Sequence, residues 1–118
     1  MKKNICKEFG PVDNLVWEDT EDHEPLPNEV VVDIKAAALN FPDYLIVQGL
    51  YQFQPPLPFT PGNEGAGIIK KIGSEVTNHK VGDRVSFMSA IGAFAEEIVL
   101  DQNLVFKMQD DMSFKVAA

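Results

Sequence analysis

Alternation of apolar and polar residues with a period of two runs through this chain and commits most of it to extended strands. Val30, Val32, Ile34, Ala36 and Ala38 fall on one side of an extended segment, with Asp33 and Lys35 on the other. Phe94, Ile98 and Leu100 share a parity, as do Leu104, Phe106 and Met108, and Val85 and Phe87 alternate with Arg84 and Ser86. Turn formers punctuate these runs at Asn28-Glu29, Gly73-Ser74, Gly82-Asp83 and Asp101-Gln102-Asn103. From Ile68 onward, strands recur about every ten residues, which is the spacing of a sandwich or barrel. The 118 residues, 45% of them apolar, suffice for one such domain and not for two full-sized ones. The expected class is mainly β.

One segment breaks the period. Pro42 suits the first turn of a helix, Asp43 to Gln48 can continue it, and Gly49 stops it. About two turns is too short to persist by propensity, so packing must hold it. Beyond it, Pro55, Pro56, Pro58 and Pro61 stiffen a loop by fixing their own φ and extending their predecessors. Such a loop serves as the rim of a site or as a plain connection. Near the C-terminus, Ser113 is positioned to cap a second short helix over Phe114-Lys115-Val116-Ala117. A domain rarely ends inside an apolar helix start, so the sequence is expected to be part of a longer one.

Charge and cysteine content narrow the function classes. Ten Lys plus Arg against eighteen Asp plus Glu give a net charge of −8, which repels phosphate backbones, so nucleic acid is not an expected partner. The acidic run Glu18, Asp19, Glu21, Asp22 and Glu24 reads as a solvated turn. Cys6 is the only cysteine, so no internal disulfide is expected and a reducing compartment suits the chain. No apolar run exceeds four residues, far below the roughly 20 of a membrane helix, and Met1 to Lys7 has no apolar stretch behind its charge. The default expectation is a cytoplasmic protein without a membrane partner.

Few residues offer direct chemistry. His23, His79 and Cys6 are widely spaced, without a C-x-x-C or H-x-x-x-H pattern, and both histidines sit in polar contexts that read as surface. No Gly-x-Ser-x-Gly elbow is present. The run Gly62-Asn63-Glu64-Gly65-Ala66-Gly67 has the spacing G-x-x-G-x-G, and Ile68 to Ile72 behind it reads as strand, so no helix N-terminus is there to cradle phosphates. Its glycines are expected to permit close strand packing or a bend. Glu64, an acid among small residues, is expected to be buried with a partner. Asn40 can cap the short helix or face a ligand, Asp43 complements the helix dipole, and Arg84, the only arginine, reads as a structural ion pair.

Taken in order, Asn40-Phe41-Pro42-Asp43, Gly49-Leu50-Tyr51, Pro55 to Gly67, Gly73 followed by Val76, Gly82-Asp83-Arg84-Val85 and Gly92-Ala93-Phe94-Ala95-Glu96 form a series. The series resembles the N-terminal, GroES-like catalytic domain of the medium-chain dehydrogenase/reductase superfamily, in its zinc-free quinone oxidoreductase (zeta-crystallin-like) branch, and covers nearly all of residues 1–118. Zinc alcohol dehydrogenases have a cysteine at the position of Asn40 and Gly-His-Glu at Gly62-Asn63-Glu64. Amides are poor replacements for thiolate and imidazole, so the resemblance implies no zinc.

The resemblance further implies a partly open β-barrel with one or two short helices, and hydride transfer from NADPH to a quinone or an α,β-unsaturated carbonyl. The cofactor would be held mainly by a C-terminal Rossmann domain that is not in this chain, so the chain alone is expected to be inactive and monomeric or weakly dimeric. Asn40, Tyr44, Tyr51, Asn63 and Glu64 would line the substrate and cofactor cleft, with Glu64 behind the vacant metal position. The family's tyrosine falls at Leu45 here, and one residue along a helix rotates a side chain by about 100°, which separates Tyr44 from that role. The alternatives are a stand-alone GroES-like binding or assembly module, as in co-chaperonins, and part of an enoyl-thioester reductase.

Overall fold

The computed structural model describes Met1–Ala118. Strand β1 (Lys2–Ile5) pairs antiparallel with β2 (Val16–Asp19) in a small sheet of its own. The larger sheet contains β3 (Glu29–Ala37), β4 (Glu64–Ile72), β5 (Arg84–Met88), β6 (Glu97–Asp101) and β7 (Val105–Lys107), all antiparallel, in the order β6-β3-β4-β5-β7. β6 and β7 are free edges, so the sheet does not close. β1 instead leans on the segment entering β6: Asn4 N–H donates to Phe94 O at 2.9 Å and Glu96 N–H to Lys2 O at 2.8 Å. The result is the partly open barrel that the resemblance implies.

Val30, Val32, Ile69, Val85, Phe87, Ile98 and Leu100 form the core inside the curved sheet, as the parity of β3, β5 and β6 requires. Val31 is equally buried on the opposite face, so the first half of β3 is covered on both sides. β4 presses close against β3 where their register shifts between Ile34 and Ala36. A Cβ on Gly67 would lie 2.0 Å from Asp33 O, so only glycine fits at this close strand crossing.

Two short helices complete the fold: α1 (Phe41–Val47) and α2 (Phe114–Ala117). At seven residues α1 is held by packing, with Ile46 and Val47 buried against Cys6 and Phe59 in a second, smaller core. Gly49 ends it at φ +72°, a conformation that side chains with a Cβ resist. Ser113 caps α2 by accepting from Val116 N–H at 3.2 Å.

Three expectations need correction. The Leu104, Phe106, Met108 parity marks the outer side of β7: Leu104 and Phe106 are exposed and Val105 is the buried residue. Arg84 makes no ion pair; its guanidinium donates to the carbonyls of Gln109, Asp110 and Met112 and stacks 4.5 Å from the Phe114 ring centre, tying α2 to β5. His23 is not a surface histidine, because its loop folds over β6 and half-buries it.

Candidate functional site at the corner of α1 and β4

Asn40 ends the extended stretch after β3, with φ −119° and ψ 159°, and opens α1. Its N–H donates to Asp43 Oδ2 at 2.9 Å, the return bond of a capping box, which fixes the angle at which the helix leaves β3. β4 begins opposite. Asn40 Nδ2 donates to Asn63 Oδ1 at 2.9 Å and to Glu64 Oε1 at 3.2 Å. Ala38 N–H donates to Glu64 O and Ser89 N–H to Asn63 O, so backbone bonds hold both β4 residues in place. The structure thus joins Asn40, Asn63 and Glu64 in one cluster. Glu64 has a partner, as an acid there needs, although it is half-buried rather than fully buried.

The other two candidates lie outside this network. Tyr44 is half-exposed and stacks on Phe41, ring centres 6.3 Å apart, and Tyr51 follows the helix on the exposed side of the loop. Neither hydroxyl is hydrogen-bonded to the cluster. Leu39 and Phe41, on either side of Asn40 in the chain, expose 77% and 71% of their surface, an apolar rim beside the cluster, and Leu50 beyond the far end of α1 exposes 67%.

Asp43 is the residue whose environment the spacing did not disclose. Its carboxylate is 2% exposed, and Oδ1 is buried without a hydrogen-bond partner in the chain. Burial pushes its carboxyl above the ordinary range and nearby Glu64 adds to that, against the N–H groups of Asn40 and Gly62. Asn4 Oδ1 is orphaned in the same way. Both residues line one apolar cavity of about 320 Å³, shared with Leu39, Tyr44, Pro61 and Phe94. The pattern Asn40-x-x-Asp43 signals the capping box, and nothing in it signals the orphaned oxygen.

Two amides and one carboxylate do not fit Zn²⁺, which takes thiolate, imidazole or carboxylate, and no group of three His, Cys, Asp or Glu converges elsewhere. The residues present also do not fit the phosphates of a dinucleotide, because the glycine run lies within β4 and no helix begins behind it. Asn63 keeps one resource free: its amide N–H groups donate to nothing in the chain.

Residues 26–110 match the model of the alcohol dehydrogenase GroES-like domain. The chain is 42% identical over 94 residues to a rat synaptic vesicle membrane protein VAT-1 homolog, covering 80% of the chain and 23% of that protein. It is 40% identical over 111 residues to a quinone oxidoreductase of Pseudomonas aeruginosa, covering 93% of the chain and 34% of that protein. The structure superimposes on Escherichia coli quinone oxidoreductase complexed with NADPH with a TM-score of 0.94 at 34% identity, covering 99% of the chain and 36% of that one. The chain therefore spans about a quarter to a third of the length of these relatives. It belongs to the alcohol dehydrogenase GroES-like domain family of the medium-chain dehydrogenase/reductase superfamily, among relatives that include quinone oxidoreductases.

Proposed function

We propose that this chain is one wall of the cleft of an NADPH-dependent, zinc-independent quinone oxidoreductase, facing a Rossmann domain that holds the cofactor. The observation that carries the proposal is the Asn40–Asn63–Glu64 cluster, a fixed amide with free N–H donors set in an exposed apolar rim. The names of the Pseudomonas and Escherichia relatives, one of them bound to NADPH, support the reaction class.

In this proposal the neighbouring domain's cofactor supplies the hydride, and the residues here act on the acceptor. Asn40 holds the Asn63 amide through its oxygen, so the Asn63 N–H groups face the cleft with little freedom left to lose. A quinone or enone carbonyl oxygen gains negative charge as hydride arrives, and a donor already oriented toward it stabilises that charge. Leu39, Phe41 and Tyr51 cover the acceptor's apolar faces, and closure against the second domain excludes water. Glu64 keeps the Asn40 amide turned toward Asn63. No helix of the structure is long and apolar enough to cross a membrane. The cytoplasmic location in this proposal rests instead on Cys6, the single cysteine, which suits a reducing compartment.

The test is NADPH oxidation with 1,4-benzoquinone and with a short enoyl thioester, by this chain alone and by the protein that carries it with its cofactor domain. The expected result is background with the chain alone, turnover with the two-domain protein, and preference for the quinone. Turnover by the isolated chain overturns the proposal, and preference for the thioester moves it to the enoyl-reductase class.

A further inference from the structure

A second cavity, polar where the first is apolar, lies on the other side of β1. Along that strand Asn4 faces the apolar cavity beside α1, while Lys3 and Ile5 face the opposite way. Lys3 reaches a cavity of about 340 Å³ that it lines with His23, Thr60, Ser89 and Glu97.

What distinguishes this cavity is an excess of donors. Lys3 enters no ion pair: Glu18, its cross-strand neighbour on β2, is held by Lys7 at 2.6 Å. Glu97 is also satisfied, with Oε1 accepting from His23 N–H at 2.9 Å and Oε2 from Lys70 Nζ at 2.8 Å. His23 spends its N–H on Glu97 and its carbonyl on Lys71, leaving both ring nitrogens without a partner in the chain. Thr60 is 9% exposed, and its hydroxyl makes no hydrogen bond within the chain. Ser89 Oγ donates to Ile91 O and is occupied. An ammonium, an imidazole and a hydroxyl therefore share one concavity whose only carboxylate is already neutralised.

We propose that this cavity binds a small oxyanion, a carboxylate or a phosphate, at Lys3, His23 and Thr60. The ligand supplies the charge that Lys3 lacks and accepts from the ring and the hydroxyl, in charge-assisted bonds stronger than neutral ones. The charged groups close enough to act on the ring are Lys3 and Glu97 within the cavity and Asp22 and Glu29 outside it. Burial first, and then the Lys3 ammonium, hold the His23 ring below its ordinary range. An anion seated between them opposes the Lys3 effect and raises the ring's titration midpoint.

The experiment follows the His23 ring by NMR while sodium phosphate or sodium acetate is added, against sodium chloride at matched ionic strength. The expected result is a saturable shift with phosphate or acetate and a midpoint raised by roughly half a pH unit or more. Saturation by phosphate alone assigns a tetrahedral anion, and saturation by acetate alone assigns a carboxylate. Lys3→Met is expected to weaken binding about tenfold or more, while Lys2→Met, on the exposed side of the same strand, leaves it unchanged. If Lys3→Met does not fold, Thr60→Val carries the same test, with an expected loss of about threefold or more. An equal response to chloride, or full affinity in the folded Lys3→Met or Thr60→Val protein, overturns the proposal.

Discussion

Glu97 on the sheet and Asp43 at the α1–β4 corner are both buried acids, 3% and 2% exposed, and their surroundings treat them in opposite ways. Burial acts to raise Glu97, but Lys70 and the His23 N–H outweigh it and hold its carboxyl below the usual range. Asp43 has no cation beside it, one oxygen without a partner, and a carboxyl pushed up by burial. The sheet is a region in which polar groups are matched and stability is stored. The corner keeps a buried acid incompletely matched beside an amide cluster with donors to spare, as sites that must serve a ligand often do.

The largest effect that would probe this contrast is loss of the sheet's core. Phe87→Ala is expected to cost about 3–5 kcal/mol, because the side chain is 1% exposed within the main core, and urea denaturation measures it. Next comes Glu97→Gln, which keeps an acceptor for His23 N–H and removes the charge that Lys70 meets. A cost of about 1.5–3 kcal/mol is expected at pH 7. The sign with pH follows from the lowered carboxyl: its contribution is complete above the ordinary value of 4.5 and is lost as pH falls through the folded value. The deficit of Glu97→Gln therefore shrinks in acid.

The smallest effect has the opposite sign. Asp43 titrates above its ordinary 3.8, so the folded chain takes up the proton first and gains stability as pH falls toward that value. Asp43→Asn is expected to leave stability at pH 7 unchanged or raise it by less than about 1 kcal/mol, and to remove this gain. Denaturation at several pH values between neutrality and pH 4 shows it. A loss at neutral pH as large as that of Glu97→Gln would erase the contrast between the two regions.

The barrel was legible wherever a strand was long enough to display a period. β3, β5 and β6 carry their core residues at the expected parity, and Pro42 and Gly49 mark α1 to within a residue. β7 failed because three residues show no period and Leu104, Val105 and Phe106 are all apolar; pairing with β5 decides which is buried. Arg84 and Glu97 were opaque for a related reason. Their partners are carbonyls 25 to 28 residues away and a lysine 27 residues away, brought close only by the sheet. At the corner, the types and order of Asn40, Asn63 and Glu64 were readable, whereas the separation of Tyr44 from their hydrogen bonds depends on how α1 is rotated, and that of Tyr51 on the course of the loop after it.

The central claim is that the Asn63 amide, held by Asn40, acts on the acceptor carbonyl. Its most direct test is steady-state reduction of 1,4-benzoquinone by the two-domain protein and its Asn63→Ala variant, with melting temperatures measured alongside. The account predicts that kcat/KM falls about tenfold or more, carried mainly by kcat, while the melting temperature moves by no more than a few degrees. An unchanged kcat/KM in a folded variant contradicts it.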